Sequence, residues 1–174
     1  MTLGGTVFYN RLDNAIANVT IGTNLIQRQN VRAIVAKGVE LNANAQHGPL
    51  TLAASYAYTV SRVSAPGQAL DGLIPAQTPR HAASATLSWT ARLGPVLSVS
   101  ARYVSSQYED DLQSYVLPDA LTFDAVARVP LKTGLTLSLR VENMFDATVV
   151  TRNVAGSMDL GTPLTFWVGL KFTH

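Results

Sequence analysis

Six charged residues in this chain sit at matching positions of a two-residue repeat. Arg102, Asp124, Arg128, Arg140 and Lys171 each stand between apolar neighbours, and Glu142 lies two residues after Arg140, so all six fall on the same face of their segments. Side chains so placed can pair with one another across strands, contact a neighbouring domain or bind a polar ligand, and cross-strand pairing is the plainest of the three. Trp167 shares that face near its outer end, an aromatic suited to stacking on a ligand or packing against a loop. The run Glu109, Asp110, Asp111 offers three carboxylates that could hold a cation or a basic group of a ligand. Adjacent carboxylates point in different directions, however, so a solvated loop is the simpler reading. His47, His81 and His174 are each alone, whereas zinc requires three or four converging ligands. With no cysteine, thiol catalysis, cysteine metal sites and disulfides are excluded. There is no Ser/His/Asp order, glycine-rich phosphate loop or paired-carboxylate motif. The expectation is a protein that is not an enzyme and carries no metal or cofactor.

The elements that position these residues are strands. In Leu135 to Phe145, Leu135, Leu137, Leu139, Val141 and Phe145 alternate with Thr136, Ser138, Arg140, Glu142 and Met144. About ten such residues cross a bilayer as a tilted strand. Asn143 interrupts the apolar series near the outer interface, where a polar group costs little. The pattern recurs along the chain. A first strand runs from Gly5 to about Ile21, with a bulge or break at Asp13 and Asn14, and a polar connection covers Gly22 to Asn30. A second strand ends in KGVELNANAQ, followed by a tight turn at His47, Gly48 and Pro49. Leu50 to Ser61 is the third, and a long loop, Arg62 to Arg80, leads to the fourth, His81 to Leu93. Gly94 and Pro95 turn the chain into a fifth strand, from Leu97 towards Tyr108. The loop Glu109 to Ala120 precedes a sixth, Leu121 to Val129. Lys132, Thr133 and Gly134 then turn it into the seventh, the stretch already described. The loop Asp146 to Pro163 leads to the eighth, Leu164 to Phe172.

Connections thus alternate long and short, with all short turns at one end and all long loops at the other. That asymmetry, with eight strands and both chain ends on the short-turn side, is the pattern of a transmembrane β-barrel and has no cause in a soluble lipocalin-like barrel. An aromatic girdle fits as well: Tyr56, Tyr58, Phe145 and Phe166 near the long-loop ends, Trp89 and Phe172 near the short turns. Only 14% of residues are charged, against about a quarter in soluble domains. The formal charge of +2 comes from scattered Lys and Arg, with no basic stripe for nucleic acid. No apolar run is long enough for a spanning helix, and the opening MTLGGTVFYNR lacks the features of a secretion signal, so an export signal is expected upstream of Met1.

A closed barrel of eight strands is filled by its own interior side chains. The inward residues of the third strand, Thr51, Ala53, Ser55, Ala57, Thr59 and Ser61, are too small for that. The fold expected is therefore all-β, an antiparallel up-and-down transmembrane segment forming an open, strongly curved sheet. Its first and last strands should not pair, and exposed edges should make the isolated chain prone to aggregate in water. Competing readings are a small structural eight-stranded outer-membrane barrel and an outer-membrane protease or lipase.

The motifs FYNRLDN (Phe8 to Asn14), KGVEL (Lys37 to Leu41), SYAYT (Ser55 to Thr59) and PRHAASATLSW (Pro79 to Trp89) together resemble one family. RYVSSQYEDD (Arg102 to Asp111), VENMFD (Val141 to Asp146) and PLTFWVGLKF (Pro163 to Phe172) continue the likeness over nearly the whole chain. The family is the TonB-dependent outer-membrane receptors, and the likeness is to the C-terminal part of their barrel. It implies a place in the bacterial outer membrane within a larger, 22-stranded barrel whose other strands and plug domain are missing from residues 1–174. It further implies uptake of a ferric siderophore or another scarce ligand, energised by TonB through the plug. His174 stands where the family's terminal aromatic residue is expected.

Overall fold

The computed structural model describes every residue except Thr23, Asn24, Leu93, Thr133, Ala155 and His174, and the side chains of Val19, Thr20 and Ile26. The expectations attached to Leu93, Thr133 and His174 lie outside the described residues. Eight strands form one sheet: β1 (Thr2–Asp13), β4 (Ala33–His47), β5 (Leu50–Ser64), β6 (His81–Thr90), β7 (Val96–Val104), β10 (Ala120–Lys132), β11 (Leu135–Glu142) and β14 (Thr165–Phe172). Their spatial order follows the chain, and each is antiparallel to its neighbours. β1 and β14 do not pair with each other, so the sheet is open and is not a closed eight-stranded barrel.

Three of the long connections contain hairpins of their own: β2 (Ile16–Gly22) with β3 (Leu25–Asn30), β8 (Gln107–Tyr108) with β9 (Val116–Leu117), and β12 (Val150–Val154) with β13 (Ser157–Leu160). These correct several expected boundaries. The first strand stops at Asp13, because Asn14 takes a left-handed conformation at φ 53°, and beyond it a separate hairpin takes up the rest of the expected first strand and the polar connection after it. The fifth strand ends at Val104 and not at Tyr108. The seventh ends at Glu142, where Asn143 turns at φ 49°.

Register sorts the side chains into two faces. One row runs Asn42, Ser55, Ser84, Arg102, Thr122, and the row beside it runs Leu41, Tyr56, Ala83, Tyr103, Leu121. On the polar face, hydroxyls satisfy one another between strands: Ser55 with Ser84 (2.8 Å), Thr86 with Ser100 (2.9 Å) and Ser88 with Ser98 (2.8 Å). The apolar face meets no protein. On interior strands, where neighbours flank both sides, Leu41, Leu87 and Leu121 are still 48–49% exposed, a condition that suits a face turned to lipid. Tyr56 and Tyr58 gather round His81 at the loop end, the Tyr56 hydroxyl 2.8 Å from Nδ1. Trp89 and Phe172 lie opposite Leu50 and Leu135 beside the short turns. In β1, Val7 and Tyr9 point to the apolar side, while Phe8 crosses to the polar face and lies on Gly38.

Buried apolar residues lie in and just beneath the loops. Ala15, Ala17, Val31, Val63, Ala65 and Leu70 form a cluster, with Ile34 and Leu112 against it. Two turns of the chain are stitched there by main-chain bonds from Asn14 to Arg32 (3.0 Å) and Val31 to Ala15 (2.8 Å).

Candidate functional site

At the loop end of the polar face, β7, β10 and β11 border a recess of 460 Å³, roofed by Gln77, Pro118 and the loop around Val149 to Thr151. Four of the residues singled out by sequence, Arg102, Asp124, Arg140 and Glu142, line it. Arg140 and Glu142 are two apart on one strand, which puts them on the same face, and their guanidinium and carboxylate are in contact. The second carboxylate oxygen of Glu142 accepts the indole N–H of Trp167 at 3.0 Å. Glu142 therefore bridges a cation and an aromatic donor from the adjoining strand, where Trp167 lies opposite Arg140. Trp167 itself is fastened to this carboxylate by its indole N–H and is otherwise more than half exposed.

Arg102 lies between Ser84 and Thr122 and has no carboxylate in contact among the described residues. Its guanidinium is the cation of the recess free to meet an incoming group. Asp124 accepts the backbone N–H of Asn143 at 2.8 Å, so it holds the bend and not a cation. Ion pairing among these residues thus runs along β11, not across strands as expected. Arg128 lies lower, in a separate hollow of 140 Å³ with Val96, Ser98 and Val126. Lys171 stands opposite Thr136 near the short turns. Neither joins the recess.

Sequence reasoning missed the part played by Asn143, which is 4% exposed. Its Nδ2 donates to the carbonyls of Ala147 (2.8 Å) and Thr162 (3.1 Å), and its Oδ1 accepts the Ala147 N–H (2.9 Å). The interruption of apolar parity at this position was the available signal. It marks a residue that ties the last loop to β10, not a tolerated polar group in lipid.

The acidic run also differs from a freely solvated loop. Asp110 accepts backbone N–H groups from Leu112 (3.0 Å), Ser114 (2.8 Å) and Tyr115 (2.9 Å). Asp111 reaches two other loops, accepting from Asn18 (3.1 Å) and Ala76 (2.9 Å). Glu109 meets the Gln77 side chain at 3.4 Å. These carboxylates are engaged in ordering the mouth, and no group of three or more His, Asp or Glu converges to hold an ion among the described residues.

An antiparallel wall with a lipid-compatible face, a hydroxyl-lined face and ordered loops over one end defines a transmembrane barrel sector. The chain belongs to the TonB-dependent receptor-like β-barrel family, whose model matches residues 1–144. That family resides in the outer membrane of Gram-negative bacteria, and so does this wall. The ferrichrome outer membrane transporter/phage receptor of Escherichia coli K12 is 34% identical over 123 residues, 65% of this chain and 16% of that protein. The ferrioxamine B receptor of Salmonella typhimurium is 31% identical over 127 residues, 68% of this chain and 18% of the relative. The ferric yersiniabactin uptake receptor of Yersinia pestis superposes with a TM-score of 0.82 at 17% identity, over 98% of this chain and 27% of that one. The chain therefore spans less than a fifth of the length of these curated relatives.

Proposed function

We propose that this chain is one sector of the wall and mouth of an outer-membrane receptor that takes up a ferric siderophore or a similarly scarce ligand. The observation that carries the reading is the recess beneath the loops, with the free guanidinium of Arg102 on one side and the Glu142-held Arg140 on the other. One unpaired guanidinium, Arg102, beside an Arg140 whose remaining N–H donors are not taken up by Glu142, suits a ligand rich in oxygen acceptors, and the loops over them restrict its approach. Trp167, locked by the same carboxylate, fixes the orientation of Glu142 and through it Arg140. The names of the two curated relatives, a ferrichrome transporter and a ferrioxamine B receptor, support the ligand class.

In this reading the eight strands are about a third of a 22-stranded wall that holds a plug. The remaining strands, the plug and TonB are its partners, and TonB acting on the plug supplies the energy. The sector provides wall, mouth and ligand contacts, with no catalytic step. The test is tryptophan-fluorescence titration with ferrichrome and with ferrioxamine B, on the receptor carrying this chain. The Arg102→Gln, Arg140→Gln double variant should bind about tenfold more weakly, with uptake falling in parallel. If neither siderophore binds the parent, or the variant binds both equally well, the reading is wrong.

A further inference from the structure

The polar face does not hold every charge of the wall. Arg11 and Arg62 both lie opposite Val35, and Lys37 lies between Tyr9 and Val60. This is the parity of Val7, Leu41, Tyr56 and Tyr58, so the three cations project from the side that otherwise meets lipid. All three are exposed.

A cation on the lipid face costs about 2–4 kcal/mol at the bilayer midplane and about 0–1 near the interfaces, so its height decides whether it is tolerated. Lys37 sits two residues beyond the level of Tyr58, and Arg11 and Arg62 two residues further. They lie just outside the aromatic belt, at headgroup level. Strands about 4.8 Å apart with a rise of about 3.4 Å per residue put the three Cα atoms about 8–10 Å from one another, within reach of a shared point for side chains of this length. Asp13 is the one carboxylate paired with them among the described residues, on Arg11 Nε at 2.8 Å. Three cations less one carboxylate leave +2. Arg62 gives one N–H to the Ser61 carbonyl (3.2 Å) and keeps its other donors.

We propose that Arg11, Lys37 and Arg62 form a docking site for the phosphorylated headgroup of an outer-leaflet glycolipid. The proposal rests on the long-loop end facing outward. Opposite charge, position at the headgroup level and projection away from the recess all suit a membrane lipid better than a soluble anion. The spread of the triangle favours a headgroup with more than one phosphate, each met by a guanidinium or ammonium.

The experiment places the receptor carrying this chain in nanodiscs of phosphatidylcholine with bisphosphorylated lipid A and reads retained lipid by native mass spectrometry. The Lys37→Gln, Arg62→Gln variant should retain lipid A about thirty-fold more weakly. The charge-preserving Lys37→Arg, Arg62→Lys variant should retain it as the parent does, which separates charge from misfolding. Equal retention by parent and Gln variant overturns the proposal. So does equal retention of dephosphorylated lipid A, release of lipid by inorganic phosphate, or retention of phosphatidylglycerol as strong as that of lipid A. Siderophore titration of the same samples reads the recess separately, so loss of lipid with intact ligand binding, or the reverse, assigns failure to one proposal and not the other.

Discussion

Ala53 and Ala54 are neighbours in β5 with opposite surroundings, and replacing each in turn by arginine tests the sidedness of the wall directly. Ala54 lies opposite Ala43 and Ala85 on the apolar face, midway between Leu50 and Tyr58. Eight residues at about 3.4 Å each make a strand length of about 27 Å, or about 19 Å of membrane depth at a 45° tilt, so Ala54 lies about 10 Å below the tyrosine belt. That is close to the middle of the hydrocarbon, where arginine costs about 2–4 kcal/mol. Ala53 lies opposite Asn44 and Thr86 on the polar face and makes no side-chain hydrogen bond. Its replacement should cost within about 0.5 kcal/mol, as at an open surface. Denaturant titration of the receptor in lipid bilayers, read by far-UV circular dichroism, should therefore separate the two variants by at least about 1.5 kcal/mol, the difference between those estimates. Equal transitions, or a larger loss for Ala53→Arg, would refute the assignment of faces and with it the recess as a lumen site.

Asn143→Ala removes three hydrogen bonds at a buried position that also favours the left-handed bend. Hydrogen exchange at Ala147 should accelerate, consistent with a local loss of about 1–3 kcal/mol, while amides in the middle of β11 remain protected. Asp111→Ala frees the N–H groups of Asn18 and Ala76. Limited proteolysis should then cut the first two long loops faster with the strands intact, and unchanged cleavage would deny Asp111 its tying part. A Cβ at Gly38 would stand 2.0 Å from the Tyr58 carbonyl and 2.9 Å from the Phe8 ring. Gly38→Ala should lower the unfolding transition by about 1–3 kcal/mol, the usual range for overpacking. Adding Phe8→Ala should not restore it, because the main-chain contact is the tighter one.

The two faces were legible because a strand's period of two is written residue by residue, as in Leu135 to Glu142. Strand ends were less so. The alternation in β1 continues through IANVTIG, and only the conformation of Asn14 separates β1 from the β2–β3 hairpin. The site was half legible for a related reason. Parity puts Arg102, Arg128, Arg140 and Lys171 on one face, yet height within the wall depends on register between strands, which no single strand encodes. Register brings Arg102 and Arg140 to one recess and leaves Arg128 and Lys171 below it. The carboxylates of Asp110 and Asp111 were visible as a charge run, but their backbone partners belong to three separate loops and are set only by the folded mouth.

The clustering of Val31, Val63, Leu70 and their neighbours under the loops means that the mouth and the wall are stabilised against different solvents. The mouth is held by ordinary hydrophobic burial from water, which urea and cooling both weaken. The wall is held by strand pairing and contact with lipid tails, which answer also to detergent and bilayer thickness and yield only to stronger denaturant. Mild urea should therefore loosen the entrance of such a receptor while its staves stay upright in the membrane.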